Sequence, residues 1–162
     1  MAEHGRRRVA VTGLGAISSL GHDADSVVNA IRSGQSGVAP IERFDSTGFE
    51  RLLAGEVRGF APARHLKSPD APHWGRSAQL AAAAARGAVL NSGISPEFLS
   101  QERTVSCFGT TNGESQAMER LSAQWVEGAG EQLDPRLIPQ VDPGSISTAV
   151  SVELALGGAA VT

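Results

Sequence analysis

An alanine-rich stretch from Gly75 to Gly93 constrains the fold of this 162-residue chain more than any other segment. Alanine has the highest helix propensity, and glycine suits the left-handed residue that closes a helix. We therefore predict a helix over 75–93 that ends at Gly93. Because its side chains are small, this helix can approach its neighbours closely. We expect it to lie buried or half-buried against a sheet.

The strands predicted from the sequence are few and short. Val9–Thr12 has the composition of a buried strand, and the segment 102–114 contains a second strand that ends in a glycine- and threonine-rich loop. The segment 52–57 favours a further short strand, and the apolar residues within 157–162 suit the start of another. Since these strands alternate with helices, the pattern is that of an α/β fold.

Three further helices are indicated by apolar residues at helical spacing, within 23–37, 115–130 and 145–158. The segment 133–145 is expected to be an extended, proline-rich connection. The expected N-caps are Asp23 or Asp25 for the first helix and Ser145 or Ser147 for the last.

Gly13 and Gly15 follow the first predicted strand and allow two interpretations. A dinucleotide-binding turn has the pattern G-x-G-x-x-G at the start of a helix, but the third position here is Ser18. The acidic residue expected about twenty residues later, after a second strand, is also missing. The alternative is that both glycines permit a tight turn packed closely on other backbone. We favour this second interpretation.

The composition excludes several classes of protein. A net charge of −3 does not suit a nucleic-acid-binding protein, and the longest apolar run is interrupted by Arg86 and too short to span a membrane. A single cysteine, Cys107, forms no internal disulfide and suits a reducing compartment. The N-terminus lacks the apolar stretch of a signal peptide. We therefore expect a cytoplasmic protein without nucleic-acid or membrane partners.

The residue types that most often carry chemistry form no recognisable site in this sequence. Cys107 lies inside a predicted strand, where we expect a small buried core residue. The histidines lie in the tail or in loops, without the spacing of a metal site or a catalytic pair. We therefore predict no metal and no cofactor. The histidines are His4, His22, His65 and His73.

The chain contains, in this order, the segments RRVAVTGLGAISSLG, AIRSGQSGVAPIERFD, RSAQLAAAAA and FGTTNGE. Together they resemble the N-terminal part of β-ketoacyl-acyl-carrier-protein synthases, of the elongating fatty acid type or the discrete type II polyketide type. The resemblance implies an α/β, thiolase-like fold, a layered α-β-α-β-α sandwich of which this chain is the N-terminal part only. It implies a tail over 1–6 and a portion of the synthase domain over 7–162.

The resemblance also implies a reaction, the decarboxylative Claisen condensation. In this family a cysteine thiolate takes an acyl group from a carrier protein, and two histidines assist the decarboxylation of a malonyl-carrier thioester. The final LGGAAVT matches only the first part of the segment before that cysteine, which is expected about five residues after Thr162. The resemblance therefore places no catalytic residue in this chain. The remainder of the domain, in the same polypeptide or as a separate chain, would supply them.

Three residues of this chain lie at acyl-pocket positions by the same resemblance. Asn112 matches the gate of the acyl chain, where fatty acid synthases often have a larger apolar residue, so we expect a different acyl preference. Leu137 and Ile138 lie in the stretch that crosses the dimer interface and lines the partner's pocket. Ordinary interface packing is the alternative role for both. A homodimer follows from the resemblance.

A second kind of protein shares this N-terminal pattern. Chain-length-factor-like subunits have the same fold but lack the cysteine, and they pair with a ketosynthase as a heterodimer and shape its pocket. The GTTNGE loop favours a true synthase. The expected partners are thus an acyl carrier protein, its malonyl form, and a second synthase or chain-length-factor subunit.

Overall fold

The structure, a computed structural model, describes residues 8–128 and 133–162. The tail over 1–6, His4 and residues 129–130 of a predicted helix lie outside this range. Two single turns of 3-10 helix cover Ala71–His73 and Ile138–Gln140. The helices and strands are α1 Ala24–Arg32, β1 Ala39–Pro40, β2 Leu53–Ala54, α2 Pro62–His65, α3 Arg76–Ser92, α4 Pro96–Gln101, β3 Ser106–Cys107, α5 Ser115–Gly128, α6 Ser145–Leu154 and β4 Ala160–Val161.

The predicted alanine-rich helix is α3, and both of its ends are confirmed. Gly75 is its N-cap residue, and Gly93 closes it with a φ of 69°, in the left-handed region that favours glycine. Its main neighbour among the described elements is α6 rather than a sheet. The buried side chains of Ala78 and Ala82 leave room for the apolar face of α6, so the two helices form the core.

The segment around Gly13 and Gly15 packs directly on the backbone of α3. A Cβ atom on Gly15 would overlap the carbonyl oxygen of Ala84, and one on Gly13 would overlap that of Ala88. Close backbone packing was the interpretation favoured for these glycines, and it is confirmed. No side chain larger than hydrogen fits here without displacing the segment from the helix.

The strand predicted over Val9–Thr12 was wrong for the part of the chain that the structure describes. No described residue pairs with this segment, and Val9 and Val11 are 91% and 82% exposed. A strand requires hydrogen bonds to a neighbouring strand, and no strand among the described residues provides them for this apolar segment. Its composition is that of a buried strand, but its side chains have no described partner.

Two small sheets are present among the described residues. β1 and β2 are antiparallel, with Ala39 opposite Ala54, whereas β3 and β4 are parallel, with Ser106 opposite Ala160. The strands expected within 52–57, 102–114 and 157–162 are thus confirmed, although each covers only two residues.

The side chains of β3 alternate between the two faces of its sheet. Ser106 is buried, and its hydroxyl donates to the Ser147 carbonyl oxygen at 3.0 Å, which attaches the strand to α6. Cys107 points to the other face and is exposed, so its prediction as a buried core residue was wrong. The reason is the two-residue period of a strand, which puts neighbouring side chains on opposite faces.

The predicted caps are correct for one helix and wrong for another. Asp23 caps α1, since its carboxylate accepts from the Ser26 amide at 2.7 Å. The first residue of α6 is Ser145 and its N-cap residue is Gly144, so neither predicted serine caps it. Ser147 is instead the third residue of the helix, where its side chain is buried and bonded to Thr162, and the Ser145 hydroxyl donates to the Gln140 carbonyl oxygen.

Two further corrections concern short helical turns. The segment 133–145 is not extended, because residues 135–140 form a turn and a 3-10 helix. Helix α4 was not predicted, although Ser95 at its N-cap and Pro96 at its first position are typical start signals. No helix among the described residues is long and apolar enough to cross a membrane.

An aromatic cluster joins the start of α1 to α2. The His65 ring stacks on Phe60 with 5.0 Å between centroids, and the His22 ring meets both of them edge-on. Burial lowers the pKa of His65, and the nearby His22 and Arg64 lower it further, against an opposing effect of Asp23. The cluster therefore favours a neutral His65.

We expect this cluster to make stability depend on pH. A histidine whose pKa is lower in the folded state binds its proton more readily when unfolded, so stability falls as the pH drops below about 6.5. The melting temperature of the wild-type protein should decrease between pH 7.5 and pH 5.5, and that of the His65→Gln variant should decrease less. An identical decrease in both proteins would contradict this role of His65.

Candidate functional site

A cleft of about 470 Å³ lies between the loop that follows β3 and the turn that precedes α6. One wall is the loop 110–115 with the first turn of α5, and the opposite wall is the turn 141–143. Asn112 is one of the residues that line this cleft. The side chains that define its shape are Thr111, Asn112, Met118, Val141, Pro143 and Thr162.

The loop that carries Asn112 is a tight turn with internal hydrogen bonds. The Thr110 hydroxyl oxygen accepts from the Gly113 amide at 3.1 Å. Gly113 has a φ of 53°, a left-handed conformation that glycine adopts without strain. Asn112 lies at the exposed tip of this turn, so its side chain can change without disturbing the turn itself.

Side-chain hydrogen bonds attach two parts of the cleft to the core. On the first wall, the buried carboxylate of Glu114 accepts hydrogen bonds from the amides of Ser77 and Ala78 at the start of α3. Thr162, which also lines the cleft, donates through its hydroxyl to the Ser147 hydroxyl at 2.7 Å and accepts from the Ser147 amide. The first wall is thus attached to α3, and Thr162 to α6.

The groups in this cleft suit binding rather than proton transfer. Its described lining has hydroxyl groups, one amide and one carboxylate, and that carboxylate is already bonded to backbone amides. Methionine, valine and proline add apolar surface. Among the described residues, no group of three or more His, Cys, Asp and Glu side chains could hold a metal ion.

Leu137 and Ile138 do not join Asn112 in this cleft. The side chain of Leu137 is buried within its own chain, whereas Ile138 is 51% exposed. Ile138 lines a separate groove of about 330 Å³ on the outer face of α5, beside Trp125 and Val126. Asn112 therefore lies in the cleft and Ile138 in the separate groove, whereas Leu137, next to Ile138 in the sequence, is buried.

Sequence reasoning did not single out Glu114. An acidic residue just before a helix is ordinarily interpreted as a favourable charge at the N-terminus of that helix, here α5. Its carboxylate instead reaches α3, which lies 36 residues earlier in the chain. No local sequence pattern indicates such a long-range contact.

Comparison with known proteins identifies the family. The family described as "Beta-ketoacyl synthase, N-terminal domain" matches residues 6–162, almost the whole chain. The chain therefore belongs to the β-ketoacyl synthase family, as its resemblance to these enzymes predicted.

Curated relatives carry the name 3-oxoacyl-[acyl-carrier-protein] synthase 2. The protein from Coxiella burnetii is 31% identical over 153 residues, and the protein from Vibrio cholerae is 29% identical over 153 residues. Each alignment covers 94% of this chain but 37% of the relative. The chain thus spans little more than a third of the length of these relatives.

Solved structures with a similar backbone include the ishigamide ketosynthase/chain length factor, at 38% identity and a TM-score of 0.89. That match covers 98% of this chain and 40% of the other. A β-ketoacyl synthase from Burkholderia phymatum has a TM-score of 0.76 at 22% identity, over 97% of this chain and 39% of that one. The described backbone thus has the ketosynthase fold, which is thiolase-like.

Proposed function

We propose that residues 7–162 are the N-terminal portion of a β-ketoacyl synthase domain, with residues 1–6 as a tail. The remainder of the domain, in the same polypeptide or as a separate chain, completes the layered α-β-α-β-α sandwich and supplies the catalytic cysteine and histidines. The exposure of Val9, Val11 and Val161 supports this proposal. Strand-forming apolar residues with so much exposed surface suit an interface with a further part of the same sandwich.

The proposed reaction is the decarboxylative Claisen condensation. An acyl group forms a thioester with the cysteine of the complete domain, and malonyl-carrier protein loses CO₂ to give a carbanion. The carbanion attacks the acyl carbon, a carbon–carbon bond forms and the cysteine–acyl bond breaks. The products are a β-ketoacyl-carrier protein, CO₂ and the free cysteine thiolate. The carrier protein and its malonyl form are the proposed partners, and the cytoplasm the proposed location.

The contribution of this chain is one wall of the acyl pocket. The observation that carries this proposal is the cleft between Asn112 and Thr162, because the nucleophile is expected about five residues after Thr162. An acyl chain on that cysteine would extend along Met118 and Val141. The polar side chain of Asn112, at the gate position, would then limit the length of the acyl chain.

A condensation assay on the full-length protein tests this function. The protein is incubated with acyl-carrier proteins of several lengths and malonyl-carrier protein, and the carrier species are identified by mass spectrometry. We expect a β-ketoacyl-carrier protein two carbons longer than the starting acyl group, and none without the malonyl form. Absence of product for every acyl length, from a protein paired with its native partner, would contradict a synthase function.

The alternative function is a chain-length-factor-like partner subunit, without catalysis of its own. The similarity to the ishigamide ketosynthase/chain length factor supports this candidate, since that name includes both kinds of subunit. Mass spectrometry of the full-length protein after incubation with acyl-carrier protein separates the two. If the protein is a synthase, this polypeptide or the chain that completes its domain gains the mass of one acyl group. If it is a partner subunit, its own mass stays unchanged, and the ketosynthase with which it pairs is acylated.

Ile138 is proposed to contact the second subunit of a homodimer or of a ketosynthase/chain-length-factor heterodimer, and Leu137 to support it. The exposed position of Ile138 beside Trp125 and Val126 supports this role. Leu137 is buried in its own chain, so packing that fixes the position of Ile138 suits it better than a direct contact with a partner's acyl pocket.

A further inference from the structure

Glu114 lies where three elements of the fold meet. Its carbonyl oxygen accepts the first hydrogen bonds of α5, from the amides of Ala117 and Met118. Its side chain points the other way and is buried, with the residue only 5% exposed. One residue therefore ends the Asn112 loop, begins α5 and reaches into the core.

The carboxylate of Glu114 caps α3 in place of a local residue. It accepts from the Ser77 amide at 3.0 Å and from the Ala78 amide at 2.6 Å, the second and third residues of that helix. The N-cap residue of α3 is Gly75, which has no side chain to do so. Since the first amides of a helix lack partners within it, this contact satisfies groups that would otherwise be unpaired.

Gly75 leaves the space that Glu114 fills. A Cβ atom on Gly75 would lie 2.5 Å from both carboxylate oxygens, a distance at which one group has to move. A third hydrogen bond strengthens the attachment, from the Ser77 hydroxyl to the Gly113 carbonyl oxygen at 2.9 Å. The loop and the start of α3 are therefore joined through side chains on both sides.

This cap has an effect beyond α3, because Glu114 lies far from that helix in the sequence. A cap from residue 75 itself would stabilise α3 and nothing else. A cap from Glu114 also fixes the backbone that follows the loop, two residues beyond Asn112. The position of Asn112 in the cleft thus depends on a contact with the rigid core.

We propose that Glu114 is a positioning residue that sets the selectivity of the cleft for the length of the acyl chain. It acts through the loop 110–113, by holding Asn112 against the space that the acyl chain would occupy. This inference rests on the proposed synthase function. Glu114 itself is already bonded to α3, so it takes no direct part in the chemistry.

Two variants of the full-length protein separate positioning from simple helix capping. Glu114→Ala removes the cap and the two hydrogen bonds by which the carboxylate attaches the loop, and leaves only the bond between Ser77 and the Gly113 carbonyl oxygen. The double variant Gly75→Asp/Glu114→Ala restores a cap at the preferred N-cap position, within the space that the glutamate leaves, but does not restore the carboxylate's attachment of the loop. Selectivity is measured as the ratio of kcat/KM between a short and a long acyl-carrier protein, and Asn112→Leu serves as a reference for a changed gate.

We expect both variants to shift this ratio by about tenfold, while the melting temperature recovers in the double variant alone. Amide hydrogen exchange in residues 110–113 should be faster in both variants than in the wild type. Recovery of wild-type selectivity together with the melting temperature would overturn the proposal, since Glu114 would then be a cap only. An unchanged ratio in both variants would overturn it as well.

Failure of the proposed function has a different signature. If the wild-type protein gives no turnover with any acyl length, the synthase function is wrong, and the exchange measurement then decides the role of Glu114. Faster exchange at 110–113 in both variants supports its attachment of the loop. Unchanged exchange overturns it.

Discussion

Replacing Glu153 by alanine is expected to destabilise the protein by about 3–5 kcal/mol, the usual cost of removing one partner of a buried ion pair. The Glu153 side chain is fully buried in α6 and lies 3.4 Å from the Arg86 guanidinium of α3. It also accepts from the amides of Lys67 and Ser68 at 2.9 and 3.0 Å. Alanine would leave a largely buried cation and two amides without their acceptor.

Thermal and urea unfolding of the full-length protein measures this effect. Glu153→Gln is the matched control, because it keeps the shape and an acceptor but removes the charge, and we expect it to cost about 1–3 kcal/mol. A loss below about 1 kcal/mol for Glu153→Ala would contradict the account, since the pair would then behave as if exposed to solvent.

Replacing Gly15 by alanine is expected to cost more than about 3 kcal/mol, above the usual range for an overpacked core. The added Cβ would overlap the Ala84 carbonyl oxygen and would lie 2.6 Å from the Ala88 amide nitrogen. Both are backbone atoms of a helix, so neither can move aside as a flexible side chain would. The segment around residue 15 has to separate from α3.

Gly87→Ala is the control for this substitution, at the same interface. Its Cβ would lie 3.8 Å from the nearest atom, the Gly15 Cα, which is ordinary contact. Alanine within a helix gains about 0.5–1 kcal/mol over glycine. The two alanine variants should therefore change the melting temperature in opposite directions. Equal effects would show that the backbone contact at Gly15 does not limit packing.

The elements predictable from sequence were those whose causes are local. The limits of α3 follow from alanine propensity and from Gly93, and the start of α1 follows from the side chain of Asp23. The close packing of Gly15 on the distant helix α3 is an exception, and it was predictable only because an incomplete nucleotide motif left backbone contact as the better explanation. The helical pattern thus agrees with the structure where residues close in the sequence determine where a helix begins and ends.

The features that sequence did not reveal depend on distant contacts. Cys107 is exposed because of the register in which β3 pairs with β4, which lies more than fifty residues later. The buried role of Glu114 depends on the empty space at Gly75. The segment Val9–Thr12 has strand composition but no described neighbour. In each case the local pattern was typical, and tertiary packing determined the result.

Mapping of a photo-crosslinked acyl chain tests the central claim most directly. A carrier protein loaded with a diazirine-bearing acyl chain is irradiated with the full-length protein, and the modified peptides are identified by mass spectrometry. The account predicts adducts within residues 110–118 and 141–143, the two walls of the cleft. Adducts confined to other parts of the protein, while condensation proceeds normally, would contradict it.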